Sequence, residues 1–547
     1  MPKRKLPSRP NLEQYKKQAK ELMRDWELAV PDSIARFVRH HPRLDGETDP
    51  KVAKSRVSLT DAQLVIAREH GFENWARFAE HIQTLLLEGT VDSLEDPIAS
   101  FIEAACVPRD AWHSSGTVEH AELILARYPH VAQANIYTAA ILADEAGVRT
   151  FLSGDSKLAT ATGGPYGWDA LTHLCFSRYL RIDRERSQGF VRTAKALLEA
   201  GASANVGWYE RSFQPGGEPE FESAIYGAAG IAHHPGLTQL LLDYGADPND
   251  GETPYHVPES YDNTVMKILL DSNKLSERSV TWMLVRKADW HDLEGMRMTL
   301  QYGANPNAIP RWGNNALQHS VQRDNHLAMI ELLLDHGADP ALKNGRDGKT
   351  AVGMAVHRGR ADVLSLLERR GLELGLSGAD VLIAACAKGD EEAVTALKNQ
   401  EPQPVDVVLS EGGTLLSQFA GNGNVDGVAC LLALGVRADA VTSEGDPYFD
   451  IAKDSTALHA AAWRAWPSTV QLLIERGAPV NAKDGKGRSA LMLAVKACVD
   501  SYWTNRRSPE SVEALLKAGA SLEGVDIPCG YEDVDRLLRT AAEQGRK

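Results

Sequence analysis

Residues 333–340 read Leu333-Leu334-Asp335-His336-Gly337-Ala338-Asp339-Pro340, and versions of this phrase recur along the chain. Further copies lie at residues 197–205, 241–249, 300–307, 431–435, 472–478 and 515–520. Leucines at the end of a helix bury against a neighbour, and the glycine takes the left-handed conformation that ends the helix. The Asp, Asn and Pro residues that follow are turn formers. Each copy therefore predicts a helix C-terminus followed by a turn.

The spacing of the copies is regular. Gly303 and Gly337 are 34 residues apart, and so are Gly337 and Gly371. Two longer intervals contain weaker copies, in which Asn273 and Asn399 stand at the glycine position, because Asn tolerates that backbone geometry better than other non-glycine residues. A fixed period of this length predicts stacked helical hairpins, each burying its apolar face against the next.

A second signature marks the first helix of each unit. Its clearest copy is Thr456-Ala457-Leu458-His459-Ala460-Ala461-Ala462, and weaker copies begin at Thr350 and Ser489. The period and both signatures resemble the ankyrin repeat family, whose Thr-Pro-Leu-His-x-Ala motif is nearest at residues 456–461. The resemblance implies an all-α solenoid of stacked helix-turn-helix units over residues 97–524. About a dozen units are expected, several degenerate or carrying insertions.

Residues 1–90 lack the repeat and are predicted to form a small helical leader. Residues 10–26 and 32–40 have amphipathic patterns, Thr60-Asp61-Ala62-Gln63 reads as a capping box that opens a third helix, and a fourth follows from Trp75. The stretch 58–72 resembles the leader that precedes ankyrin arrays in many bacterial proteins. At the other end, residues 525–547 are predicted to form a C-terminal capping helix.

Composition narrows the classes of function. A chain of 547 residues exceeds the roughly 250–300 residues of a single core, so several domains or a repeat array are required. Lys and Arg number 59 against 74 Asp and Glu, and the net charge of −15 disfavours a nucleic-acid partner. The six cysteines are widely spaced, and no apolar run is long enough to span a membrane. We expect a cytoplasmic protein that uses no cofactor or metal and does not insert into membranes.

Candidate functional residues lie where the chain departs from the repeat. The insertion at residues 206–217 contains Trp208 and Tyr209, and two interpretations of it stay open. It is either an aromatic finger that grips a partner, since aromatic residues dominate interface hot spots, or a lid that folds back on its own repeats.

Four further clusters combine aromatic residues, histidines and carboxylates. They contain Tyr255 and His256; Asp289, Trp290 and His291, followed by Trp312; Asp454, His459, Trp463 and Trp466; and Tyr502 and Trp503. Because a solenoid curves, loops and first helices of successive units line one concave surface. Several of these clusters are therefore predicted to share a groove with acidic and aromatic walls. Such walls suit a cationic or polar ligand.

The leading hypothesis is a cytoplasmic interaction scaffold that binds a protein or peptide through this groove; ankyrin arrays mostly bind proteins. The candidate binding residues are Trp208, Tyr209, Tyr255, His256, Trp290, Trp312, Trp463, Trp466, Tyr502 and Trp503. The alternative is an enzyme or small-molecule binder that uses Asp289, His291, Asp454 and His459 for acid–base chemistry. His459 also has a structural interpretation, as the turn-stabilising histidine of the family motif. A third hypothesis, a nucleic-acid-linked regulator acting through the basic N-terminus, is disfavoured by the acidic total.

Overall fold

The computed structural model describes residues 4–7, 10–42, 44, 57–109, 111–212, 216–400, 402–501 and 506–544, and these residues are mostly helical. They divide into two compact units. The first comprises Met1–Val257 and Thr264–Lys274, and the second comprises Pro258–Asn263 and Leu275–Lys547. Within the described ranges, no helix combines the length and the apolar character that crossing a bilayer requires.

The first unit begins with the predicted leader helices. Its helices are α1 (Leu12–Glu27), α2 (Pro31–His40), α3 (Leu59–Glu69) and α4 (Trp75–Val91). Tyr15, Trp26, Phe37 and Phe78 are buried together between them. The capping box of α3 differs from the prediction, because it is formed by Ser58 and Asp61 rather than by Thr60 and Gln63. The helix therefore starts two residues earlier, where the serine accepts from the Asp61 N–H.

Helical hairpins of unequal length make up the rest of the first unit. They are formed by α5 (Pro97–Ala105), α6 (Glu119–Arg127), α7 (Ile136–Ile141), α8 (Glu145–Gly154), α9 (Ala170–Cys175), α10 (Arg178–Ile182), α11 (Ser187–Glu199), α12 (Ala224–Tyr226), α13 (Pro235–Asp243), α14 (Glu252–His256) and α15 (Thr264–Asp271). A π-helical turn at Gly227–Ile231 extends α12. Short 3-10 turns lie at Pro129–Gln133, Ser156–Ala159 and Arg184–Arg186.

Two β-hairpins interrupt the helices of the first unit. Strands β1 (Thr162–Gly163) and β2 (Trp168–Asp169) form the first, and β3 (Gly207–Glu210) and β4 (Glu220–Ser223) form the second. The second hairpin is the insertion found in the sequence. Its register pairs Trp208 with Glu222 and Tyr209 with Phe221. Since side chains alternate along a strand, Trp208 and Tyr209 point to opposite faces.

The second unit consists of stacked helix pairs. Its helices are α16 (Glu277–Asp289), α17 (Leu293–Gln301), α18 (Ala316–Gln322), α19 (Leu327–Asp335), α20 (Ala351–His357), α21 (Ala361–Arg369), α22 (Ala379–Ala387), α23 (Glu391–Gln400), α24 (Pro402–Ser410), α25 (Gly412–Gly421), α26 (Val425–Leu434), α27 (Ala457–Trp463), α28 (Pro467–Glu475), α29 (Ala490–Val499), α30 (Glu510–Lys517) and α31 (Glu532–Gln544). First helices pack on first helices, as in α16, α18 and α20, and second helices on second helices. This packing is the predicted all-α solenoid arrangement.

The recurring leucine–glycine phrase ends helices as predicted. Gly303 and Gly337 have φ values of 87° and 83°, and Asn273 takes the same left-handed conformation at 55°. The prediction for Asn399 was wrong, since α23 continues through it to Gln400 and the residue stays helical. A lone Asn imposes no helix end when the following residues can extend the helix.

The asparagine that follows the phrase links one repeat to the next. The Asn307 side chain donates to the Gly337 carbonyl over 2.8 Å and accepts from the Asp339 N–H over 2.8 Å. Asn205 forms the same pair of bonds in the first unit, with Gly245 and Asp247. Each such asparagine satisfies the backbone of the following turn and fixes the spacing between repeats.

Candidate functional site

Asp289 lies at the C-terminal end of α16 and is held by one histidine and two arginines. Its carboxylate accepts from His319 Nε2 at 2.8 Å and from Arg323 Nε at 2.6 Å, and it also pairs with Arg286. Burial alone would raise the pKa of this carboxyl, but the hydrogen bond from His319 and the charges of His319, Arg323 and Arg286 hold the pKa well below its ordinary value. A carboxylate so strongly paired is a poor proton acceptor.

A ladder of charged residues continues this arrangement along the first helices. Arg323 bonds Asp289, and Arg358 bonds Asp324 through Nε and a terminal nitrogen, each at 2.6 Å. Both pairs join residues 34 positions apart, so one inter-repeat contact occurs twice. Arg464 adds a third donor, 3.0 Å from Asp324. The ladder joins repeats through charge-assisted hydrogen bonds.

In the sequence His291 stands between Asp289 and Asp292, but its ring is directed to other partners. Its Nδ1 accepts from the Asn325 side chain at 3.1 Å, and its ring lies 6.3 Å from the His326 ring. Burial and then the charge of His326 lower the pKa of His291 to about 4. Asp292 instead pairs with the buried Lys287 at 2.8 Å. The His291 side chain is therefore neutral at pH 7 and takes part in the contact between two repeats.

The structure gives His459 the contacts of a turn-stabilising residue. Its Nδ1 accepts from Thr456, whose N–H lies 3.1 Å away. Its Nε2 lies 3.1 Å from the backbone oxygens of both Ala482 and Arg488. Asp454 is exposed, has a φ of 61°, and donates its backbone N–H to Thr442. Neither geometry directs a proton donor and acceptor at a shared position.

The insertion at residues 445–454 reaches a distant repeat. The Tyr448 hydroxyl donates to the Asp289 carbonyl at 2.7 Å, and the Arg323 guanidinium lies 3.9 Å from the centre of the Tyr448 ring. Phe449 is 3% exposed, and the Arg464 guanidinium lies 3.8 Å from its ring centre. The insertion before Asp454 thus contacts the repeat that contains Asp289, and Arg323 contacts both the Tyr448 ring and the Asp289 carboxylate.

Trp463 and Trp466 pack between helices. Trp463 is 4% exposed and donates its indole N–H to the Phe449 carbonyl. Trp466 donates to the Gly421 carbonyl at 2.8 Å, and the Arg506 guanidinium lies 4.2 Å from its ring centre. These contacts make both tryptophans part of the packing between repeats. Tyr502 and Trp503 lie outside the described residues.

An exposed patch forms around Trp312. We define the tryptophan–arginine patch as Arg278, Trp282, Arg311 and Trp312. The two indole rings are 5.3 Å apart, the Arg278 guanidinium lies 4.6 Å from the Trp282 ring, and the Arg311 guanidinium lies 5.4 Å from it. Both arginines are exposed, whereas Trp282 is 6% exposed. Nearby, Gly313 has a φ of 83°, which favours glycine in this turn.

Trp290 and Tyr261 form a smaller aromatic pair in the second unit. Their ring centres are 5.5 Å apart in an edge-to-face arrangement. Trp290 is half-buried and Tyr261 is 69% exposed. Of the predicted residues of this unit, Trp290 and Trp312 are thus on the surface, while His459 and Trp463 are buried.

The first unit contains a buried cluster around the β3–β4 hairpin. His113 Nδ1 lies 3.0 Å from the Tyr226 hydroxyl, and His113 Nε2 lies 3.3 Å from Glu210. The Trp208 ring lies 5.6 Å from the His113 ring, and Glu222 is 1% exposed. Burial, then Glu252 and Glu210, raise the pKa of Glu222 to about 9. Burial and His256 lower the pKa of His113 to about 4.

The other predicted residues of the first unit surround this cluster. Tyr209 points away from it and is 66% exposed beside Phe221. The His256 ring lies 5.2 Å from the Tyr226 ring and 4.8 Å from the Tyr255 ring. Within the hairpin, Trp208 is thus packed inward and Tyr209 is exposed.

Replacing Glu222 with Gln is expected to stabilise the ligand-free chain increasingly as pH rises. The pKa of Glu222 is about 9 in the folded chain, above its ordinary value of 4.5. The contribution of Glu222 to the stability of the fold is therefore fully present below pH 4.5 and is lost as pH rises toward 9. Glutamine copies the neutral acid, so the advantage of the variant grows by about 1.4 kcal/mol per pH unit.

Urea unfolding of parent and variant at pH 7 and 8.5 measures this difference. The titration of His113 is common to both chains and cancels in their difference. The titration of buried cysteines is common to both chains and cancels. A stability difference that does not change with pH would contradict the prediction.

Comparison with known proteins identifies the repeat. The model of the ankyrin repeat family matches residues 284–377, 381–484 and 420–526. These segments of the second unit match ankyrin repeats. Among curated proteins, human cyclin-dependent kinase 4 inhibitor B is 34% identical over 87 residues, which cover 16% of this chain and 62% of that protein. Among solved structures, the human ASB11 ankyrin repeat domain is 23% identical, with a TM-score of 0.21, and the match covers 44% of this chain and 98% of that one.

The chain spans less than two thirds of the curated relative, 62% of its length. The ankyrin-repeat match lies entirely within the second unit, which holds the charged ladder and the tryptophan–arginine patch.

Proposed function

We propose that the ankyrin repeats of the second unit form a cytoplasmic interaction scaffold for a protein or peptide that carries an acidic segment. The partner binds on the groove side, where the first helices stack, and the tryptophan–arginine patch forms the centre of the contact. The cytoplasmic location is supported by the six cysteines, which are free thiols.

The observation that carries this proposal is the stacking of two exposed arginines on a pair of tryptophans. Tryptophan and arginine are the residues most enriched in binding hot spots. A guanidinium stacked on an indole ring keeps its N–H donors available for a carboxylate, so the patch can pair with Asp or Glu of a partner. Trp282 is the buried anchor, and Trp312 is the half-buried residue that a partner can cover further.

The patch is also held in place before a partner arrives. Trp282 lies in the middle of α16, whose first turn is capped by the Ser276 side chain. Trp312 follows the Asn305–Asn307 turn. The next residue, Gly313, packs closely against Arg346, since a Cβ at Gly313 would lie 2.4 Å from Arg346 Cγ. A rigid aromatic surface loses little conformational entropy on binding, which favours affinity.

The alternative, an enzyme using Asp289, His291, Asp454 and His459, draws no support from the contacts of these residues. The Asp289 carboxylate is bonded to His319 and Arg323, and both nitrogens of His459 are bonded within the repeats. General acid–base catalysis needs a group that can exchange a proton with a substrate in hydrogen-bond reach.

We expect short acidic peptides selected on the full chain to lose affinity when Trp312 or Arg311 is replaced by Ala. Loss of a hot-spot side chain costs about 2 kcal/mol, or roughly thirty-fold in affinity. The peptides come from a displayed random library, and their affinity is measured by calorimetry. Tyr302→Ala is the matched control, because Tyr302 is an aromatic residue at a hairpin end and is 38% exposed. Peptides that bind both patch variants as tightly as the parent would refute the assignment.

A further inference from the structure

We propose that the first unit holds a binding site for an alkylammonium group, with Glu222 at its floor and Trp208, Tyr226 and His113 as its walls. We call this the ammonium site. It lies in the first unit, outside the residues matched by the repeat model, and is independent of the scaffold function proposed above.

The β3–β4 hairpin builds the acidic part of the site. Its register places Trp208 opposite Glu222, and the alternation of side chains puts Glu210 on the same inward face. Two further elements then close around these residues. The loop after α5 contributes His113, α12 contributes Tyr226, and the histidine lies 3.3 Å from Glu210 and 3.0 Å from the tyrosine hydroxyl.

Two buried polar atoms of the site have no hydrogen-bond partner in the part of the chain that the structure describes. They are Oε2 of Glu222 and Nε1 of Trp208. Their side chains are almost fully buried, at 1% and 4% exposure of the residues. His113 Nδ1 lies 4.0 Å from Glu222 Oε2, beyond hydrogen-bonding distance. Buried polar groups are nearly always satisfied, so an unsatisfied carboxyl oxygen points to a ligand.

The exposure of the side chains increases outward from Glu222. It is 2% at Glu222, 8% at Glu210, 10% at His113 and 16% at His256. Trp112, whose ring lies 5.9 Å from that of His256, is 60% exposed. Exposure thus rises from the buried carboxyl of Glu222 to the exposed ring of Trp112.

The lining selects an organic cation. Carboxylates attract a positive charge, and the faces of Trp and Tyr add cation–π attraction. The chain itself shows this preference, because the Arg109 guanidinium lies 5.4 Å from the Trp208 ring. A metal ion is a poor fit, since no three His, Cys, Asp or Glu side chains of the described residues are arranged to ligate one. An ammonium group, as in a small amine or a lysine side chain, matches both the charge and the rings.

Binding at this site should release a proton. Burial and the charges of Glu252, Glu210 and Glu220 raise the pKa of Glu222 to about 9, against the opposing charge of His256. His113 also faces this carboxyl, 4.0 Å away. At pH 7 the free site therefore holds a neutral carboxyl, and a cation favours its ionisation. Affinity should rise with pH up to about 9, by at most about ten-fold per pH unit.

Calorimetric titration of the full chain tests the site. Tetramethylammonium chloride is the first probe, because its charge does not change with pH, and a peptide with one central lysine is the second. We expect saturable binding, proton release seen as a dependence on buffer ionisation heat, and tighter binding at pH 8.5 than at pH 7. Binding of both probes indicates a site open to free amines, and binding of the peptide alone indicates a lysine side chain as the occupant.

Three variants decide the assignment. Glu222→Gln keeps the shape and should lose at least ten-fold in affinity together with the proton release. Trp208→Phe keeps an aromatic wall with a weaker cation–π surface and should bind several-fold more weakly. Tyr209→Ala, on the outward face of the same hairpin, should bind like the parent. The proposal fails if the parent binds neither probe at tens of millimolar, or if E222Q retains parental affinity and pH dependence.

Discussion

Replacing Asp324 with Asn is expected to lower the free energy of unfolding of the second unit by about 3–5 kcal/mol, the range measured when one partner of a buried ion pair is removed. The Asp324 side chain is 3% exposed and accepts from Arg358 at 2.6 Å and from Arg464 at 3.0 Å. The variant leaves two buried guanidinium groups without their shared counter-charge. Urea unfolding followed by circular dichroism measures the loss, and hydrogen exchange over α18–α21 locates it.

A surface pair supplies the control for Asp324. Asp335 lies 2.7 Å from Arg370, and its side chain is 58% exposed. Asp335→Asn should change the free energy of unfolding by less than about 0.5 kcal/mol, because exposed pairs contribute little. Equal losses in the two variants would show that burial of the ladder contributes nothing.

Asp324 also makes the stability of the second unit depend on pH. Burial raises the pKa of Asp324, but the charge and hydrogen bonds of Arg358 and the charge of Arg464 outweigh this effect. The pKa therefore lies well below its ordinary value. The stability that it contributes is therefore present above an unfolded pKa of about 3.9 and is lost as pH falls toward the folded pKa. The difference between parent and D324N should shrink below about pH 4.

Replacing Phe449 with Ala is the second change with a large expected effect, about 3–5 kcal/mol, as for other buried phenylalanines. Phe449 is 3% exposed and packs with Trp463 and Leu493. Its loss leaves a cavity under the insertion and removes the ring on which Arg464 stacks. Thermal and urea unfolding of the full chain measure the effect.

Tyr448→Phe is the matched change beside it. It removes only the hydroxyl that donates to the Asp289 carbonyl at 2.7 Å and keeps the ring against Arg323. We expect a loss of about 1 kcal/mol, typical of one hydrogen bond. A larger loss for Y448F than for F449A would mean that the hydroxyl, and not the buried ring, anchors the insertion.

The helix ends could be predicted from the sequence because they are local. A glycine three residues after a leucine ends the helix at Gly303 and at Gly337, both with positive φ. Asn273 takes the glycine position, whereas Asn399 does not, although both are asparagines that follow a leucine phrase. The difference lies in the residues that follow, which form a turn in one case and extend the helix in the other.

The candidate sites depended on contacts that a local pattern does not contain. The charged ladder had a signal in the sequence that was missed. Asp289 with Arg323, and Asp324 with Arg358, are each 34 residues apart, which is the spacing of the repeats. The contact of Tyr448 with Asp289 joins residues 159 positions apart and has no such signal. Glu222 became a candidate only once the hairpin register placed it opposite Trp208.

The insertion at residues 445–454 changes how the second unit should come apart. In an ordinary repeat array each unit touches only its neighbours, so unfolding can start at an end and travel inward. Here Tyr448 reaches the helix that ends at Asp289, and Arg464 reaches Asp324, 140 residues earlier. These long-range contacts tie the first repeats of the unit to the repeats around residues 445–464. Loss of structure in one of these regions then breaks contacts in the other, so the repeats between them should unfold in one cooperative step.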